Sequence, residues 1–127
     1  MVNTGFHLHL IEPLGFSINE KSLRRAGMDY IKKSDYNLWP DLDTCLKKIN
    51  YHSVYSISTK GEKIYSDLHY KKEDAFIFGP ETTGLPQKII DQYNSITIPM
   101  KSEGRSINLA NAVSIIVYEA WRQLNFI

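Results

Sequence analysis

The chain has 127 residues, 43% of them hydrophobic, with 15 lysines and arginines against 14 aspartates and glutamates for a formal charge of +1. This describes one globular domain spanning residues 1–127, and it excludes both a disordered tail and a polybasic nucleic-acid binder; any contact with nucleic acid must come from a local patch. A single cysteine, Cys45, excludes an internal disulfide framework, and no apolar run approaches the ~20 residues of a membrane span or forms a secretory leader, so the chain reads as cytoplasmic.

Phe6-His7-Leu8-His9-Leu10-Ile11 alternates as a strand does and closes on Glu12-Pro13. Its two histidines share one face, where packing or solvent exposure accounts for them better than a metal or base site. Lys21 to Ala26 predicts a short helix, capped by Ser17 or Asn19 and stopped by Gly27. Lys21, Arg24 and Arg25 make it the most basic short segment, and spacing alone favours a solvated face over a phosphate-contact patch. Met28 to Asp41 carries no clear pattern, although Tyr30, Tyr36 and Trp39 must pack somewhere. Leu42 to Ile49 predicts a helix with Leu42, Leu46 and Ile49 on one face and Asp41 or Asp43 near its positive end.

Ser53 to Thr59 predicts a second strand, ending at Lys60-Gly61, and Ile64 to Tyr70 leaves room for one more short strand. Ala75-Phe76-Ile77-Phe78 is a continuous apolar run, as a central parallel strand would be. It breaks into Gly79-Pro80-Glu81-Thr82-Thr83-Gly84-Leu85-Pro86, and a helix over Gln87 to Tyr93 follows, opened by the proline. Ile96 to Met100 predicts a strand ended by Pro99, followed by a polar loop to Arg105. From Ser106 a helix runs to Leu124, with Leu109, Val113, Ile116, Val117, Ala120 and Leu124 at helical spacing and Ala112, Ile115 and Trp121 on neighbouring faces. Such a helix is buried in a core or against a partner subunit. Asn108 and Asn111 in its first turns are either caps or a site. His52 and His69 are isolated, and no metal-ligand cluster is present in the sequence.

Alternating strands and helices give an α/β fold with a mostly parallel sheet. Ligands in such sheets sit outside the carboxyl ends of the strands, so the loops after Ile57, Phe78 and Ile98 are expected to converge on one pocket. Lys21, Arg24, Arg25, Lys101 and Arg105 are expected on the same face. None of the loops is a phosphate loop or a dinucleotide fingerprint, and Gly79 and Gly84 alone suit ligand-free turns equally well.

Phe78-Gly-Pro-Glu-Thr-Thr-Gly-Leu-Pro86 resembles the second motif of the SPOUT class of RNA methyltransferases. Ile98-Pro-Met100, Arg105-Ser-Ile-Asn-Leu-Ala-Asn-Ala112 and Tyr118-Glu-Ala-Trp121 resemble its third. Leu10-Ile-Glu-Pro-Leu-Gly-Phe16 and Leu23-Arg-Arg-Ala-Gly-Met-Asp-Tyr30 resemble the subfamily that methylates the ribose 2′-hydroxyl of the wobble nucleotide in bacterial tRNA. The resemblance implies an α/β knot with a deep trefoil at the C-terminal side, a topology that ordinary connection rules would not suggest. It implies S-adenosylmethionine as cofactor, contacted by Ile57, Gly79, Ile98 and Ser106 together with Met100 and Leu109. It assigns Glu81 and Asn108 to the chemistry, for which the alternatives are a loop carboxylate and a helix cap. Arg24, Arg25, Arg105 and Tyr118 would contact tRNA, and the last helix would form a homodimer, with no membrane partner.

The family's first motif has the form Asn-x-Gly-x-x-x-Arg, whose arginine is thought to assist removal of the hydroxyl proton. Here Asn3-Thr4-Gly5 is followed by Phe6-His7-Leu8-His9 and better matches a later Asn-Thr-Gly of the subfamily. The chain is therefore expected to lack the family's first strand and helix, roughly two dozen residues. That would leave Val113, Ile116, Val117 and Trp121 short of cover. An inactive remnant that folds and binds cofactor or RNA weakly is the alternative; an unrelated small ligand-binding module is the third possibility.

Overall fold

The computed structural model describes residues 4–12, 36–80, 83–101 and 107–127. Two compact units, Met1–Asn50 and Tyr51–Ile127, are taken in turn.

In the first unit, β1 (Leu8–Ile11) pairs in parallel with β2 (Tyr36–Trp39), Leu8 opposite Tyr36 and Ile11 opposite Trp39. The alternating segment thus forms a strand, but its ladder starts two residues later than Phe6. β2 falls inside the stretch without a legible pattern, because Asn37 and Leu38 are exposed and only Tyr36 and Trp39 are half-buried. The ladder to β1 defines it, extended by the Glu12 amide donating to the Trp39 carbonyl at 2.9 Å. The basic helix expected over Lys21 to Ala26 lies outside the described residues.

β2 is followed by α1 (Leu42–Lys48), where Asp41 caps the first turn by accepting from the Thr44 amide at 2.7 Å. That bond holds the Asp41 carboxyl below its usual range. Cys45 is the buried residue of α1, and Leu42, Leu46 and Ile49 are half-buried around it.

The Trp39 indole Nε1–H donates to His9 Nδ1 at 3.0 Å, which places any proton of the neutral imidazole on Nε2. His9 is therefore a packed histidine, while His7 is exposed. Burial, and then the neighbouring His7, lower its pKa from the ordinary 6.5. The unfolded chain takes up this proton before the folded one does, so the fold loses stability as pH falls through 6.5 and loses none above it. The NMR signal of the Trp39 indole should report earlier thermal melting at pH 5.5 than at 7.5. His9→Asn, whose Oδ1 can accept the same bond, should flatten that dependence; an unchanged slope would remove His9 as its source.

The second unit holds a four-stranded, all-parallel sheet in the order β4-β6-β3-β5. Its strands are β3 (Val54–Ile57), β4 (Lys63–Ile64), β5 (Ala75–Ile77) and β6 (Asn94–Thr97). Asp74 sets the start of β5 beside β3: Oδ1 accepts from the Ser53 amide at 3.1 Å and Oδ2 from the Lys71 amide at 2.8 Å.

Two sequence expectations shift here. The apolar run Ala75 to Phe78 occupies an edge of the described sheet, not its centre. Its apolar character is explained instead by an aromatic cluster, in which Phe76 stacks on Tyr55 at 5.7 Å and meets Tyr70 edge-on at 5.3 Å. The Tyr70 hydroxyl donates to the Tyr65 carbonyl, and burial pushes its pKa up. β6 begins at Asn94 and ends at Thr97, which leaves Ile98-Pro99-Met100 in a loop.

Pro86 caps α2 (Gln87–Gln92), whose Ile90 is buried. α3 (Leu109–Gln123) buries Ala112, Ile116, Val117 and Ala120 along one face. Ile116 and Val117 are thus covered, contrary to the expectation for a helix deprived of a neighbour, whereas Val113 and Trp121 are half-exposed. The same face ends at Gln123, whose Oε1 accepts from the Tyr70 amide at 2.8 Å and whose Nε2 donates to the Leu68 carbonyl at 2.9 Å. That amide fork ties the end of α3 to the loop ahead of β5. Among the described residues no helix is long and apolar enough to cross a membrane.

Candidate functional site

β3 lies between β5 and β6, so the chain leaves β5 and crosses through α2 to reach the far side of β3. Strand order therefore reverses around β3, and a crevice opens at the carboxyl ends of the strands. A cavity of about 280 Å³ lies there. The three loops expected to converge do so: Ile57 and Ser58 come from the end of β3, Phe78 and Gly79 from β5, Thr97 and Ile98 from β6.

Each loop is held by local chemistry. The Ser58 amide donates to the Ile96 carbonyl at 3.0 Å, extending the ladder one residue past β3. Ser58 then closes a tight turn, its Oγ accepting from the Lys60 amide and its carbonyl from the Gly61 amide, both at 3.1 Å. After β5 the chain doubles back: the Gly84 amide donates to the Pro80 carbonyl at 2.8 Å, with Gly84 at φ +69. Gly79 is jammed against that return, since a Cβ there would lie 2.5 Å from both the Gly84 carbonyl carbon and the Leu85 amide nitrogen. Only hydrogen fits.

The far wall comes from the start of α3, through Ile107, Leu109 and Ala112, and from Ile90 of α2. Of the residues matched to cofactor contact, Ile57, Gly79, Ile98, Met100 and Leu109 all line this cavity. Ser106 lies outside the described residues. Leu85, Ile107 and Ala112 also line it, although the sequence did not assign them to the site. Ala112 was legible in principle, three residues along a helix from Leu109 and therefore on a neighbouring position of the same face.

Asn108 is exposed and is not part of the lining. Its Oδ1 accepts from the Ala110 amide at 3.0 Å and the Asn111 amide at 3.3 Å, the geometry of an N-cap. It fixes the helix start between two lining residues, Ile107 and Leu109. Tyr118 is 47% exposed on α3 and meets the Trp121 ring edge-on at 5.6 Å. Glu81, Lys21, Arg24, Arg25 and Arg105 lie outside the described residues, and Lys101 is exposed.

Apolar side chains, main-chain groups beside a glycine and a few hydroxyls make a slot suited to a flat, polar-edged ring system. Lys60 is the sole formally charged residue among the described ones in the lining. Such a cavity can bind and orient a ligand; its described residues include no carboxylate or imidazole that would act on one.

The model of the SpoU rRNA Methylase family matches residues 1–118 of the chain. The tRNA (cytidine(34)-2′-O)-methyltransferase of Escherichia coli (strain K12) is 46% identical over 127 residues, covering 98% of this chain and 81% of that protein. A putative RNA methyltransferase from Bacillus anthracis superposes with a TM-score of 0.84 at 38% identity, covering 97% of this chain and 80% of that one. A second structure, concerned with 2-OH methylation of C/U34 on tRNA, gives 0.84 at 38% identity, with 95% and 76% covered. A family match over most of the length, on a parallel sheet with its cavity at the strand ends, leaves one assignment: the chain belongs to the SpoU rRNA methylase family.

Proposed function

We propose that the chain is an S-adenosylmethionine-dependent methyltransferase acting on the ribose 2′-hydroxyl of the wobble nucleotide of tRNA. The observation that carries this reading is the 46% identity, over 98% of the chain, to a tRNA (cytidine(34)-2′-O)-methyltransferase. The site supports the cofactor: the cavity is apolar where an adenine ring needs it, and main chain comes within reach only because residue 79 has no side chain. Bound there, the cofactor supplies a sulfonium methyl group for in-line transfer to an oxygen.

This chain's residues do the rest. Ile57, Ile98, Met100 and Leu109 would hold the ring, with Gly79 and Ser106 offering main-chain and hydroxyl partners. Asn108 acts as a positioning residue, because its cap sets where α3 begins beside the cavity. Glu81, matched to the acidic residue of the second motif, is proposed to orient the reacting groups from the loop after β5. Arg24, Arg25, Arg105 and Tyr118 would meet tRNA, and the half-exposed Val113 and Trp121 of α3 support a homodimer through that helix. A trefoil knot around the cavity and a cytoplasmic location complete the reading.

The test is transfer of labelled methyl from S-adenosylmethionine to unmodified tRNA, with the product located by nuclease mapping. Label on the 2′-oxygen of the wobble nucleotide is expected. Label on a base would contradict the reading. Cofactor binding without any transfer would replace it with an inactive, cofactor-binding member of the family.

A further inference from the structure

Lys60 has no part in the assignments above, yet it is the only formally charged residue among the described lining of the cavity. It is exposed, and the ion pairs among the described residues, His52 with Asp74 and Arg122 with Glu119, leave it free. Its stem is flexible, but its root is not. The Lys60 amide is tied to Ser58 Oγ, and the next residue, Gly61, lies so flat on β6 that a Cβ would come within 2.3 Å of the Ile96 carbonyl carbon. The turn therefore fixes an exposed lysine in the lining of the cavity, at the end of the interior strand β3.

A free ammonium there selects among ligand groups. It attracts an anionic oxygen, and the described lining offers no competing carboxylate. An exposed position in the lining suits an anion that arrives from solvent. We propose that Lys60 is the anion-binding residue of this site, engaging a phosphodiester oxygen of the RNA strand next to the reacting nucleotide. The carboxylate of the methyl donor presents the same chemistry from inside the cavity. The inference rests on the methyltransferase reading above.

The test compares wild type, Lys60→Met, Lys60→Arg and, as control, Lys72→Met at an exposed lysine outside the lining. Binding of S-adenosylmethionine is followed by calorimetry, and binding of tRNA over a range of salt concentrations. Lys60→Met should weaken tRNA binding roughly two- to fivefold at moderate salt. It should also reduce the slope of log K against log salt by about 0.7–0.9, while cofactor affinity stays the same. Lys60→Arg should restore the slope, and Lys72→Met should leave both measurements unchanged. Weakened cofactor binding with an unaltered tRNA slope would assign the anion to the donor's carboxylate and overturn the phosphodiester. No effect on either would overturn the anion-binding role while leaving the methyltransferase reading intact. A wild-type chain that binds neither ligand overturns both.

Discussion

Gly79→Ala is expected to weaken S-adenosylmethionine binding by about tenfold while leaving the chain folded. The added Cβ would meet main chain on the returning loop, 2.5 Å from the Gly84 carbonyl carbon, 2.5 Å from the Leu85 nitrogen and 2.9 Å from the Gly84 oxygen. Main-chain atoms cannot swing aside as a side-chain tip can, so the loop after β5 must shift as a body. Such forced repacking costs roughly 1–3 kcal/mol, and about 1.4 kcal/mol taken from binding is already tenfold. The displaced segment carries Thr83, Gly84 and Leu85, all part of the cavity wall. Calorimetric titration reads the affinity, and far-ultraviolet circular dichroism checks the fold. Affinity within twofold of wild type would mean that this loop does not shape the binding site.

Ile116→Ala should destabilise the chain by about 2–5 kcal/mol. Ile116 is 0% exposed at the middle of the buried face of α3, four residues from Ala112 and from Ala120. Small neighbours on that face leave nothing to fill the void, and α3 is pinned at both ends, by the Asn108 cap and by Gln123. Collapse is therefore limited and the cost should sit toward the upper part of that range. Thermal unfolding should show a fall in Tm of roughly 8 °C or more for a chain of this size. A change below about 0.5 kcal/mol would place Ile116 at a surface or an interface that forms only in an assembly.

The cavity was legible in the sequence because its cause is local. Strands that break off into Lys60-Gly61, Gly79 and Pro99 leave open main chain at one end of a parallel sheet, and a sheet has only one such end. The start of α3 was legible only roughly: the expected helix began at Ser106, whereas Asn108 caps it and Leu109 is its first residue. Pairing partners were not legible. Tyr36–Trp39 lacks both alternation and a continuous apolar run, with Leu38 43% exposed, and becomes a strand only through its ladder to β1. Edge and centre were confused at β5, because an apolar run records how much surface is covered and not whether strands or rings cover it. Tyr55 and Tyr70, distant in sequence, supply that cover. Lys60 was overlooked since a lysine after a strand is commonplace; its position beside Gly61 and Ile96 gives it a role. The substrate came from none of these patterns. It rests on ordered motifs and on relatives, which periodicity does not encode.

The central claim is that the cavity at the strand ends of the second unit holds S-adenosylmethionine, and amide NMR tests it most directly. On titration with the cofactor, the amide signals of Ile57, Gly79, Ile98 and Leu109 should shift together with one affinity, while those of Leu8 to Ile11 and Tyr36 to Trp39 stay in place. Saturable shifts centred on β1 and β2, with the cavity residues unmoved, would contradict the assignment of the site.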